Sequence, residues 1–207
     1  MSNEVKTKEK VDMDPKYIIK LTVTLFVTCV IVAGLLGLVN SVTEGPIAEK
    51  NKTKTAAAIQ EVLPEMEGSP AVVELTDEMT AAASGAGATI TEAYEAQAGG
   101  SVIGYALKIV ASGSQGNIEM MVGVDAEGAV TGVSIVKNSE TSGIGSKVMD
   151  NMPTAKGVGV LDQFVGMSGA GSLSVGSNVD AISGATVSSK GVTKGVNTAL
   201  AAAEAIG

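Results

Sequence analysis

VIGYALKIVASGSQGNIEMMVGVDAEGAVTGVSIV, residues 102–136, decides the fold, because three runs rich in β-branched residues are separated there by glycine-bearing turns. Val102–Val110, Ile118–Val124 and Val130–Val136 have strand length, and Thr89–Tyr94 upstream is a fourth run of the same kind. That spacing predicts an antiparallel meander. The best-defined hairpin is VGVDAEGAV, residues 122–130, where Asp125 and Gly128 suit the ends of a turn. Ser112-Gly113-Ser114-Gln115-Gly116 invites a dinucleotide-loop reading. It lacks the G-x-G-x-x-G spacing and precedes a strand where a helix is required, so it reads as a turn.

Beyond the meander the period lengthens. Ser146–Met152 and Leu161–Val165 read as short helices, and Val192, Val196, Ala199, Leu200, Ala203 and Ile206 recur at helical spacing in a long helix after Thr186. Between them lies VGMSGAGSLSVGS, residues 165–177. Its glycines 166, 169, 171 and 176 could form a phosphate cradle, but a flexible loop near the site is the simpler expectation. Residues 88–207 are therefore expected to form one α+β domain with a mainly antiparallel sheet and flanking helices, not a doubly wound nucleotide fold.

Toward the N-terminus, LTVTLFVTCVIVAGLLGLV (Leu21–Val39) carries no charge. As a helix it is about 28 Å long against a bilayer core of roughly 30 Å. The expectation is a cytoplasmic tail over 1–16 and one transmembrane helix over 17–40. Five lysines (Lys6, Lys8, Lys10, Lys16, Lys20) precede the span and three (Lys50, Lys52, Lys54) follow it, which favours a cytoplasmic N-terminus with the domain outside. A cleaved signal peptide would end in a small-x-small site, which Leu38-Val39-Asn40-Ser41-Val42 does not supply. A lipoprotein would carry its cysteine at the end of the apolar run, whereas Cys29 sits within it and reads as a small apolar residue facing lipid or a neighbouring helix. Thr22, Thr24, Thr28, Gly34 and Gly37 are either contacts for other subunits or ordinary filler. Gly45-Pro46 predicts a break, followed by a juxtamembrane helix within 41–64 whose Ala56, Ala57, Ala58, Ile59, Val62 and Leu63 pack on the domain. Residues 65–87, acidic and turn-prone, read as a linker or surface segment.

Composition narrows the chemistry. Of 207 residues 45% are apolar, enough for one membrane segment and one ordinary domain. There is no His, Trp or Arg, and Cys29 is the only cysteine, which excludes the usual metal clusters, disulfide frameworks and imidazole acid–base catalysis. No catalytic residue and no metal ligand stands out, so the chemistry is expected to come from a cofactor. A formal net charge of −8 argues against nucleic acid as a partner.

DAISGATVSSK, residues 180–190, combines small residues, dense hydroxyls and an immediately following helix. A helix start offers unpaired N–H groups and a positive dipole end, with Lys190 and Lys194 one and two turns in, so an anionic phosphate would be stabilised there. On the residues alone, a plain helix cap by Ser183 or Thr186 is an equal alternative.

DAISGATVSS resembles the covalent-flavinylation motif of the FMN-binding domain family. That family is shared by the G subunit of Rnf ferredoxin:NAD oxidoreductases and the C subunit of sodium-pumping NADH:quinone oxidoreductases. GAVTGV (128–133) followed by ETSGIG (140–145) is similar to the family's strand and its E-T-P-G-L-G loop, with Ser142 in place of the proline. The resemblance implies FMN joined by a phosphoester to Thr186 and installed by a flavin transferase. Ser183, Gly184, Ala185, Ser188, Ser189 and Lys190 are implied around the phosphate, and Glu140, Thr141, Gly143 and Gly145 near the isoalloxazine. It covers the anchor and the region from about Gly100 onward.

It further implies an electron relay within a membrane-bound, ion-translocating ferredoxin:NAD oxidoreductase. The partners would be the other membrane and peripheral subunits of that complex, the flavin transferase and membrane lipid. The C subunit of the quinone-reducing pump is the near alternative. A membrane-anchored scaffold or binding module, with the SGAT segment as a mere cap, is the alternative from another class.

Overall fold

The computed structural model describes residues 15–206. The expected tail lies, through residue 14, outside the described residues. Two compact units divide the chain, one through Asn51 and one from Lys52.

The first unit contains most of helix α1 (Pro15–Val62). This helix is long and apolar enough to cross a membrane, and its apolar side chains are exposed, among them Leu25, Phe26, Leu36 and Leu38. The hydroxyls of Thr22, Thr24 and Thr28 donate to the carbonyls of Ile18, Lys20 and Thr24 at 2.8–2.9 Å. Bonded within their own helix, they add no unpaired polar group to an apolar surface. The expected break at Gly45-Pro46 does not occur, since Pro46 lies inside α1. Proline removes one intrahelical donor. Val42, whose carbonyl loses that donor, is exposed where water can replace it.

The second unit is built on one antiparallel sheet in the order β1-β2-β3-β4-β5: Ala71–Val73, Thr89–Ala98, Ser101–Ser112, Asn117–Asp125 and Val130–Asn138. The four predicted strands form in sequence, each somewhat longer than its β-branched run. Residues 65–87 are not a plain linker. They contain β1 and helix α2 (Asp77–Ala86), whose start is capped by Thr76 accepting from the Met79 N–H at 3.2 Å. The C-cap Gly87 (φ 97°) donates its N–H to the Ser84 carbonyl. Met79 and Ala83 are its buried residues, and two apolar contacts among alanines, serine and glycine are too weak a period to read in advance. Helix α3 (Ser146–Met149) and a 3-10 turn (Asp162–Phe164) are shorter than predicted, while α4 (Thr186–Glu204) starts where expected.

Strand alternation sends side chains to two faces. Ile90, Leu107, Ile109, Ile118, Met120 and Val122 pack with Met79 of α2, Phe164, and Val192, Val196 and Leu200 of α4. The glycines of α4 make that packing close: a β-carbon on Gly191 would fall 2.6 Å from the Ser112 carbonyl oxygen, and one on Gly195 2.5 Å from Met120 Sδ. The opposite face, with Ala96, Ala106 and Met121, is covered by Ala58, Ile59, Val62 and Leu63. Ala56 and Ala57 are exposed, so the predicted packing surface is narrower than its apolar run. Gly123 and Gly132, paired across β4 and β5, receive Val62; a β-carbon on Gly123 would come within 2.6 Å of the Val62 carbonyl oxygen. Thr131 donates to that carbonyl at 2.6 Å and Ser134 to Glu61 Oε2 at 2.6 Å.

Glu92 and Lys108, direct cross-strand partners, form an ion pair at 2.9 Å, and Tyr94 donates to the other carboxylate oxygen at 2.5 Å. Burial alone would raise the Glu92 pKa. The Tyr94 hydroxyl and Lys108 ammonium together outweigh it and hold the carboxyl below its ordinary value. Burial and the neighbouring carboxylate push the Tyr94 phenol up to about 12.

Candidate functional site

Hydrogen bonds between distant segments converge at the start of α4. The turn after β3 closes through Gly113 N–H to the Gly116 carbonyl at 2.7 Å, which agrees with the turn reading of this glycine-rich stretch. The loop after β5 reaches this turn through Glu140. One carboxylate oxygen accepts the Ser114 N–H at 2.7 Å and the Gln115 N–H at 3.3 Å, while the other accepts the Ser188 hydroxyl at 2.6 Å. Gly113 and Gly145 flank the carboxylate so closely that a β-carbon on either would collide with it. Thr141 turns the loop by offering its carbonyl to the N–H groups of Ile144 and Ser146, and Gly143 N–H donates to the Ser146 hydroxyl at 2.9 Å.

The segment ahead of α4 is held just as firmly. The Gln163 side chain clasps the Asp180 backbone, donating to its carbonyl at 3.0 Å and accepting its N–H at 2.8 Å. The Asp180 carboxylate pairs with Lys156 at 2.8 Å. Ser189, buried, accepts the Ile182 N–H at 3.3 Å and donates to the Ala185 carbonyl at 3.0 Å, stitching residues 182–185 onto the helix. Gly184 takes φ 82°, a conformation that a side chain would strain.

These bonds divide the predicted site residues. In α4, Ser188, Ser189, Thr193 and Thr198 each donate a side-chain hydrogen bond within the protein. Thr186 and Ser183 are exposed and make no side-chain hydrogen bond among the described residues. Neither caps the helix: the N-cap is Ala185, without a side-chain cap bond. The first N–H groups of α4 thus keep the unpaired character that attracts an anion. Val187, 57% exposed, and Ile144, 53% exposed, leave aliphatic surface on the helix start and on the 140–145 loop. Lys190 is exposed and, with Lys194, lines a cavity of about 310 Å³ beside Leu173 and Asn197.

The glycine loop 165–177 is irregular and is tethered to α4. Asn197 grips Leu173 at both backbone groups, at 3.2 and 2.9 Å, and Glu204 accepts the Ala170 N–H at 3.2 Å. Those anchors sit on α4, so the loop's own composition contains no sign of them. Gln163, Lys156 and Ser114 were equally invisible in sequence, because no local pattern marks a lone amide, amine or backbone N–H as a partner.

An FMN phosphoester on Thr186 fits this geometry. The acceptor hydroxyl is accessible and unengaged, small residues leave room around it, uncapped N–H groups follow, and Lys190 lies one turn on.

Sequence comparison gives the protein class first: residues 113–201 match the FMN-binding domain family, and residues 13–62 match the RnfG N-terminal region. The chain is 39% identical over 204 residues, 93% of its length and 95% of the relative's, to the G subunit of the Na(+)-translocating ferredoxin:NAD(+) oxidoreductase complex of Acetobacterium woodii. It is 30% identical over 90% of its length, and 95% of the relative's, to the G subunit of the ion-translocating oxidoreductase complex of Methanosarcina acetivorans. The chain belongs to the family of G subunits of ion-translocating oxidoreductase complexes. Among solved structures, the C subunit of the Na(+)-translocating NADH-quinone reductase of Parabacteroides distasonis is 19% identical, with a TM-score of 0.46 over 74% of this chain and 90% of that one.

Proposed function

We propose that this protein is the electron-relaying G subunit of an Rnf-type ferredoxin:NAD oxidoreductase, with FMN held through a phosphoester between its phosphate and the Thr186 hydroxyl oxygen. The observation carrying this reading is the unengaged, exposed Thr186 hydroxyl at the first position of α4, among helix hydroxyls that are otherwise bonded within the protein. Membership of the G-subunit family and the FMN-binding domain match support the cofactor.

FMN, when bound, supplies reversible electron transfer that none of the chain's own side chains offers. The protein's part is to hold and orient. Uncapped N–H groups and Lys190 would stabilise the phosphate, and Ser189 and Gln163 fix the segment that carries Thr186. An ester through the phosphate keeps the carrier loaded whatever the free FMN concentration. In this reading the helix around 17–40 anchors the protein, the lysine bias puts its N-terminus in the cytoplasm, and a flavin transferase loads the domain on the far side.

The test is denaturing electrophoresis of the full chain made in cells with the flavin transferase. Wild type is expected to give a fluorescent flavin band, Thr186→Ser a weaker one, and Thr186→Ala and Thr186→Val none. A dark wild-type band, or a fluorescent Thr186→Ala band, overturns the assignment.

A further inference from the structure

We propose that Glu140 is a positioning residue: its carboxylate acts on the Thr186 site through Ser188, as a latch that holds the first turn of α4. This rests on the reading of Thr186 as the flavin tether, and it gives Glu140 a part different from direct contact with the flavin.

Three observations carry it. Glu140 Oε2 accepts the hydroxyl of Ser188, which is 1% exposed and two residues after Thr186, at 2.6 Å. Its Oε1 accepts two backbone N–H groups of the β3–β4 turn, so one carboxylate joins three segments. Glycines at 113 and 145 admit that carboxylate where any larger residue would displace it. A charged acceptor already holding three donors has little capacity left for a ligand. Its bonds are instead of the strong, charge-assisted kind. Since Ser188 lies in the same helical turn as Thr186, releasing it frees the segment that carries the tether.

The latch also differs from an electrostatic role. Glutamine at 140 keeps the shape: its oxygen can accept the Ser114 N–H while its amide nitrogen donates to Ser188 Oγ. Glu140→Gln therefore removes the charge and preserves the connection, whereas Glu140→Ala and Ser188→Ala break it.

The experiment compares these three variants and the Glu140→Ala/Ser188→Ala double variant in the full-length, detergent-solubilised protein. Hydrogen exchange of the Ser189 and Lys190 amides is measured in a Thr186→Ala background, and iodide quenching of flavin fluorescence in loaded protein. Losing one such bond to a charged acceptor is expected to speed exchange about tenfold or more. Glu140→Ala, Ser188→Ala and the double variant should match one another within about twofold, because changes at one contact are not additive. Iodide quenching should rise to a similar extent in those three variants, and Glu140→Gln, which keeps the connection but loses the charge assistance, should fall between wild type and Glu140→Ala in both measurements. The proposal is overturned if Ser188→Ala leaves exchange unchanged, if the double variant multiplies the single effects, or if Glu140→Gln behaves like Glu140→Ala. A dark wild-type band would instead sink the flavin assignment, and exchange in the Thr186→Ala background would still decide whether the latch exists.

Discussion

At the scale of single residues, the molecule uses similar groups for opposite ends. Thr186 and Ser188 are hydroxyl residues two positions apart, yet one is exposed and unengaged while the other is buried against a carboxylate. Tyr94 shows the same dependence on surroundings. Its raised pKa stabilises the fold below about pH 10, and that contribution is lost as pH rises through about 12. Tyr94→Phe is expected to lower stability near neutral pH by about 1 kcal/mol, discounted for the partial exposure of the cluster. The gap between wild type and variant should close toward pH 12. Urea unfolding at a series of pH values measures this, and parallel profiles would exclude the cluster as the source. Thr186 could be singled out in sequence because a motif marks it. Gln163 could not, although it holds the same segment by both ends of its amide.

At the scale of elements, close approach decides how α1 and α4 meet the sheet. Gly123 and Gly132 on neighbouring strands leave a shallow seat for Val62, and Gly191 lets α4 lie against the end of β3. Helix interiors and strands normally lose stability at glycine, and here tight packing offsets that loss. Gly123→Ala should destabilise the protein by about 2 kcal/mol, because its β-carbon meets backbone that cannot rotate away. Gly132→Ala meets Val62 Cα only at 3.1 Å and should cost about half as much or less. Thermal unfolding of the two variants side by side would reveal the order. The strands were legible because β-branched runs broken by glycine turns encode a meander locally. Helix α2 was not, because its caps are clear but its apolar stripe has only two buried members.

At the scale of the whole molecule, the compact unit from Lys52 includes the end of α1 as part of its core. A chain beginning at Lys52 is expected to remain soluble and folded. One beginning at Glu65 loses Ile59, Val62 and Leu63, each worth about 1.5–3 kcal/mol of burial. Summed, that is comparable with the roughly 5–15 kcal/mol that stabilises a typical domain. It also uncovers Ala96, Ala106 and Met121. Size-exclusion chromatography and melting curves of both truncations test this, and equal behaviour would show that the helix end is dispensable. The packing of the helix end on the domain was readable from its apolar run, whereas β1 and α2 lie within residues 65–87, whose acidic, turn-prone composition reads as a linker or surface segment.

The amino-acid sequence by itself determined whatever is encoded over neighbouring positions: the uncharged run around residues 21–39, the four long strands, and a helix beginning at Thr186 behind a small, hydroxyl-rich segment. These follow from side-chain period, turn chemistry and a short motif, all of which act within a few residues. Only the tertiary structure decided that Glu140 reaches Ser188, 48 positions away, that Gln163 clasps Asp180, and that Asn197 pins the glycine loop. Hydrogen bonds between distant segments depend on strand register and on the depth at which helices seat against the sheet. No local pattern carries that information.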